Sequence, residues 1–254
     1  MADLNNIVLV GNCTVDFEVK ESVNGKKFAR GRLAVNRSRR SAEGNAITDF
    51  FNVVVFEEKQ AEFAGKHLKK GASCYVIGKV HDDVYKDKNG NKVYSKIVYV
   101  TEIGFANGES GQHVTIRGRL TKDPEIRYTN GEKPLAIARY SVAVSKLHKE
   151  GEAEADFFDC ISYGRLAENI EKYLQKGTSV FVSGELQTEE YLNKDGETKK
   201  SISLVTDRVI FGRKRQEGEN STPPSTPAAI DGMTTDLDGF MNIPDGIEDE
   251  LPFN

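Results

Sequence analysis

The octapeptide DFFDCISY at residues 156–163 and its counterpart DFFNVVVF at residues 49–56 decide how the chain is read. Apolar and β-branched residues dominate both, which is the composition of a strand. Successive side chains on a strand point to opposite faces, so one phenylalanine of each FF pair enters a core and the other faces out. Phe50 to Phe56 and Phe157 to Tyr163 are even separations, so each pair lies on one face. Two such segments 107 residues apart in a 254-residue chain point to an internal duplication.

The match extends outward from these strands. The same shift sets NNIVLVGN (5–12) over QHVTIRGR (112–119), with Gly11 on Gly118. It sets Asp16-Phe17-Glu18-Val19 on Asp123-Pro124-Glu125-Ile126, and Arg32-Leu33-Ala34-Val35 on Arg139-Tyr140-Ser141-Val142. After a one-residue deletion, Lys70-Gly71 meets Lys176-Gly177, Gly78 meets Gly184 and Tyr85 meets Tyr191. The expected organisation is a domain over 1–106, a linker over 107–111, a second domain over 112–212 and a tail over 213–254. Each copy is long enough to close on its own core, which makes this a tandem duplication rather than a solenoid.

In the second copy the strand pattern covers His113–Leu120, Leu135–Val144, Phe157–Tyr163, Ser179–Thr188 and Ser201–Phe211. Asn193-Lys194-Asp195-Gly196 is a hairpin signal between the last two. Leu166, Ile170, Tyr173 and Leu174 fall at helical spacing, with Gly177 as a stop. A helix between the third and fourth of five strands is the OB arrangement. The first copy repeats it, with a helix at about 58–70 and a hairpin at Lys88-Asn89-Gly90. The expected fold class is all-β: two tandem five-stranded OB-fold barrels, each with one short helix, followed by a disordered acidic tail.

Charge is distributed unevenly. The net charge of −4 conceals nine acidic residues and no lysine or arginine over 216–254, which leaves +5 on the body. The stretch STPPSTPAA at 221–229 and the scarcity of large apolar residues after it argue for disorder. Cys13, Cys74 and Cys160 match no metal spacing and no disulfide framework, so they read as small buried hydrophobes in a reducing, cytoplasmic setting. The N-terminus lacks a signal-peptide pattern, and no apolar run reaches membrane-spanning length.

The four histidines (His67, His81, His113, His148) have no metal-ligand spacing, and no P-loop or nucleophile elbow is present. Asp16, Asp123, Glu18 and Glu125 stand beside predicted turns and read as turn and pairing residues. Exposed rings at Phe50, Phe56, Tyr85, Phe157, Tyr163 and Tyr191 would offer stacking platforms for unpaired bases. Arg37, Arg39, Arg40, Lys86, Lys88, Arg127, Arg165 and Lys194 are candidate phosphate contacts, the cluster at 37–40 foremost.

VTIRGRLTKDPEIRYTNGEKPLAIARYSVAV, DFFDCISYGRLAENIEKYLQKGTSVFVSGELQTEEY and NKDGETKKSISLVTDRVIF in the second copy resemble the bacterial-type single-stranded DNA-binding protein family, as do IVLVGN, LAVNR, TDFFNVVVF and LKKG in the first. The resemblance implies binding of bare DNA strands with little sequence preference, in replication, recombination and repair. It implies no enzymatic activity, no metal and no cofactor. The family's stacking aromatics fall on Phe157, Tyr163 and Tyr191, and by the repeat on Phe50, Phe56 and Tyr85. The chain has no tryptophan, which family members often place at such positions. The family's acidic tip for partner enzymes corresponds to Asp249, Glu250, Leu251, Pro252 and Phe253, here followed by Asn254. Most relatives have one domain and form tetramers, so two domains per chain imply a homodimer. Two other classes fit a tandem OB chain: an RNA-binding module and a protein-interaction scaffold. A nuclease ranks last.

Overall fold

A computed structural model of the chain describes residues 4–86, 92–130, 133–146, 154–192 and 198–214. The first copy runs β1 (Leu4–Cys13), β2 (Glu18–Glu21), β3 (Lys27–Arg40), β4 (Ala46–Val55), α1 (Glu58–His67), β5 (Ser73–Lys86) and β6 (Lys92–Phe105). The second repeats it as β7 (Gly111–Leu120), β8 (Glu125–Tyr128), β9 (Ala136–Ser145), β10 (Ala155–Tyr163), α2 (Arg165–Tyr173), β11 (Thr178–Leu192) and β12 (Thr198–Lys214). The five strands expected of each copy are present, with the helix between the third and fourth. Each copy adds a four-residue strand, β2 or β8, paired with β3 or β9.

In each copy the five long strands close into a ring. β1 pairs with β3, β3 with β4, β4 in parallel with β6, β6 with β5, and β5 with β1. The second copy closes through β7, β9, β10, β12 and β11 in the same way. Burial alternates along the strands, so Ile7, Leu9, Leu33, Val35, Phe51 and Val53 fill one interior, and Ile116, Val142, Phe158, Val182 and Leu204 the other. α1 buries Ala61 and Ala64, and α2 buries Ala167 and Ile170.

Two repeated glycines let backbones cross at close range. A Cβ on Gly11 would lie 2.3 Å from the Ala34 carbonyl oxygen, and one on Gly118 would lie 2.2 Å from that of Ala143. These contacts make Ala34 and Ala143 structural equivalents, and the ladders agree, pairing Ala34 with Phe50 and Ala143 with Phe157. This corrects the sequence alignment by two residues along this strand: Arg139 corresponds to Arg30 rather than Arg32, and Arg32 to Ser141. The connection from β8 to β9 is two residues longer than that from β2 to β3. A slip of two keeps every side chain on its own face, so the hydrophobic pattern does not register it.

The copies are fused along their first strands. β1 and β7 pair antiparallel from Leu4↔Arg117 to Val10↔Gly111, which makes one twelve-stranded sheet of the two barrels. Among the described residues, no helix is long and apolar enough to cross a membrane.

Candidate nucleic-acid interface

The outer face of the first barrel is built by β3, β4 and β6. Alternation on β4 buries Phe51 (7% exposed) and turns Phe50 (51%) outward; Phe56 (54%) follows the strand on the same side. Tyr99 of β6 meets Phe56 edge-on at 5.0 Å between ring centroids, and Phe28 of β3 lies 6.2 Å from Phe56. Arginines of β3 stand over the rings: the Arg32 guanidinium is 4.9 Å from the centre of Phe50 on β4, and that of Arg30 5.4 Å from the centre of Phe28. Exposed π-faces bounded by guanidinium groups can stack flat aromatic groups and neutralise phosphates beside them.

The second barrel repeats the layout in part. Phe158 is buried (1%), while Phe157 (53%) and Tyr163 (40%) face out. Arg139 lies opposite Ile161, and Arg127 of β8 lies opposite Ile137, which itself pairs with Tyr163, so Arg127 joins the Tyr163 row. Arg165 is exposed in the first turn of α2. Tyr85 pairs with Val93 and Tyr191 with Lys199 in the β5–β6 and β11–β12 hairpins, as expected of residues that begin an extension. Their side chains, and that of Lys86, lie outside the described set. Lys88, Lys194 and the tip Asp249–Phe253 lie outside the described residues.

Of the cluster at 37–40, Arg39 and Arg40 are exposed, Arg40 donating to the Gly44 carbonyl. Arg37 is a correction. Its Nε and Nη2 donate to the two oxygens of buried Asp49 at 2.6 and 2.8 Å, Nη1 to Gln187 Oε1 and Nη2 also to the Thr188 carbonyl. The guanidinium is consumed by a clasp between the barrels. Asp49, through its hydrogen bond, holds the Arg37 pKa above its ordinary value.

That clasp has a pseudo-symmetric twin. Asp49 accepts the Thr188 N–H from the other barrel at 2.8 Å, and Asp156 accepts the Asp82 N–H at 2.8 Å. Asp156 also meets His81 Nδ1 at 2.8 Å and Lys146 Nζ at 3.3 Å. Burial alone would raise the Asp156 pKa; the hydrogen bonds from His81 and the Asp82 N–H, with the charges of His81 and Lys146, hold it below its ordinary value. Asp82 in turn accepts the Phe157 N–H at 2.9 Å and pairs with Lys96. The backbone that carries the exposed Phe157 ring is thus anchored at the seam. The repeated Asp16 and Asp123 accept the N–H groups of Lys70 and Lys176, a loop-fastening role in line with the turn reading. Among the described residues, no group of His, Cys, Asp or Glu could hold a metal ion.

The model of the "Single-strand binding protein family" matches this chain twice, over residues 4–106 and 112–212. The chain belongs to this family. A single-stranded DNA-binding protein of Bacillus anthracis is 40% identical over 172 residues, covering 55% of this chain and 98% of that protein. Single-stranded DNA-binding protein A of Bacillus subtilis is 46% identical over 108 residues, 41% of this chain and 61% of the relative. Among solved structures, the wild-type single-stranded DNA binding protein from Thermus aquaticus superposes with a TM-score of 0.65 at 21% identity, covering 88% of this chain and all of that one; it shares the fold.

Within this single-strand binding family member, sequence reasoning missed Tyr99 and Phe28 as members of the aromatic face. The signal was available. Tyr99 lies between buried Val98 and Val100, so alternation alone turns it outward. Phe28 precedes buried Ala29 by the same logic.

Proposed function

We propose that this chain binds and protects single-stranded DNA, without catalysis and with little sequence preference. The outer faces of the two barrels are the binding surface. Phe50, Phe56, Phe157 and Tyr163 stack bases there, with Tyr85 and Tyr191 on the hairpins, while Arg39, Arg40, Arg127, Arg165 and the hairpin lysines Lys86, Lys88 and Lys194 meet phosphates. The observation that carries this reading is the paired exposure of Phe50 with Phe56 and of Phe157 with Tyr163, each flanked by arginine. The named relatives are single-stranded DNA-binding proteins.

Equilibrium titration of labelled dT oligomers at two salt concentrations tests it. Binding must weaken as salt rises, and a matched duplex must bind far less. Preference for the matched RNA, or for duplex, refutes it.

The domains act as 1–106 and 112–212 joined by 107–111, although Gly111 already pairs in β7 and β12 runs on to Lys214; the tail that follows carries the tip, Asp249–Phe253, which recruits replication and repair enzymes in the cytoplasm. Removing 246–254 is expected to abolish that recruitment while leaving DNA affinity equal or higher. The chain works as a homodimer. In support, the outer face of the sheet that the barrels share presents Leu4, Val8, Val10, Tyr75, Ile77 and Phe181, none of them fully buried. A light-scattering mass of one or of four chains would contradict it.

A further inference from the structure

We propose that the two barrels share a bound strand unequally, the N-terminal one holding it more tightly through Tyr99, Phe28 and Arg32, which have no counterparts of like chemistry in the second copy. This rests on the strand-binding reading above and deepens it.

The register of the two copies fixes the comparison. A Cβ on Gly78 would lie 2.4 Å from the Tyr99 carbonyl oxygen, and one on Gly184 would lie 2.0 Å from that of Val205, so Tyr99 corresponds to Val205. β2 pairs Lys20 with Phe28, and β8 pairs Arg127 with Ile137, so Phe28 corresponds to Ile137. At the centre of the face, Arg32 lies opposite Asn52 in the first barrel, and Ser141 lies opposite Asp159 in the second.

Two differences follow, both in one direction. The first barrel gathers Phe28, Phe56 and Tyr99 into a patch of contacting rings, with Phe50 further along the same strand. The second keeps Tyr163 and Phe157 but sets aliphatic Ile137 and Val205 where the other rings stand, and aliphatic side chains have no π-face to stack on a base. Charge changes in step. Between Phe50 and Phe56 stands neutral Asn52 with Arg32 across from it. Between Phe157 and Tyr163 stands exposed Asp159, with neutral Ser141 across from it in the ladder and Lys122, itself paired with Glu125, as the neighbouring cation. A carboxylate at the middle of the face repels the phosphates that a guanidinium would hold.

The test exchanges identities between copies in the full chain and titrates a fluorescein-labelled dT oligomer. Tyr99→Val with Arg32→Ser makes the first barrel resemble the second. It should weaken binding on the order of tenfold or more. It should also flatten the dependence of log affinity on log salt by about 0.7, one phosphate contact on a single strand. Ser141→Arg with Asp159→Asn should tighten binding and steepen that dependence. Phe50→Ala should lose more affinity than Phe157→Ala. All these side chains lie at the surface, and unchanged thermal melts establish that each variant is folded. If Phe157→Ala costs as much as Phe50→Ala, or if the Tyr99/Arg32 exchange leaves affinity within twofold of wild type, the division is overturned while strand binding stands. A wild-type chain that ignores dT overturns the reading beneath it and this inference with it.

Discussion

Asp49→Ala is the perturbation that probes the seam most sharply. The Asp49 carboxylate is buried and receives three N–H groups: Arg37 Nε and Nη2 at 2.6 and 2.8 Å, and the Thr188 N–H at 2.8 Å. Arg37 itself is only 12% exposed. Removing the carboxylate strands a nearly buried guanidinium, and breaking such a pair costs about 3–5 kcal/mol. In a body of this size, 1 kcal/mol shifts Tm by about 2–4 °C, so the melting point should fall by roughly 6–20 °C. In an Arg37→Met background the guanidinium is gone. The same change then orphans only the Thr188 N–H, costing about 1–3 kcal/mol. Urea denaturation followed by circular dichroism, on the wild type, both single variants and the double variant, should give a coupling of about 2 kcal/mol. Additive costs, or a loss below about 1 kcal/mol for Asp49→Ala, would refute the clasp. If Arg37→Met, still folded, lowered the salt dependence of DNA binding, Arg37 would regain its place as a phosphate contact.

Further outcomes follow from the same geometry. Phe56→Ala and Tyr163→Ala should each cost about 1–3 kcal/mol of dT affinity with unchanged melting, by mobility shift and calorimetry. Phe158→Ala, in the core, should instead cost about 3–5 kcal/mol of stability. Gly118→Ala puts a methyl group 2.2 Å from the Ala143 carbonyl oxygen and must force β7 from β9; thermal melting should fall well below wild type, while Gly111→Ala, with open space around it, spares that contact. Asp156 has a lowered folded pKa, so its stabilisation is complete above its ordinary value of 3.8 and is lost as pH falls through the folded value. Asp156→Asn should therefore be less stable than wild type at neutral pH, with the gap closing below about pH 4. A gap that does not narrow as the pH falls below that value contradicts the assignment.

The strands and their faces were legible because alternation is a local property. Phe50 against Phe51, and Phe157 against Phe158, could be sorted from neighbours alone. The repeat located Gly11 and Gly118 before their close approaches were visible. What stayed hidden depends on distance or on parity. Arg37 looked like its neighbours Arg39 and Arg40, since Asp49 stands 12 residues away and Gln187 150 residues away in sequence. The two-residue slip between β3 and β9 preserves inside and outside, so it left no trace in the hydrophobic pattern. The β1–β7 ladder joins two strands that each already have barrel partners, and no local signal announces a third neighbour.

The claim that the aromatic outer faces receive the strand is open to direct mapping. A dT oligomer carrying 5-iodouracil can be photocrosslinked to the full chain and the adducts located by mass spectrometry. Adducts should concentrate at Phe50, Phe56, Tyr99, Phe157 and Tyr163. Adducts on the outer face of the sheet that the barrels share, around His113, Phe181 and Arg208, with none on those five rings, would contradict it.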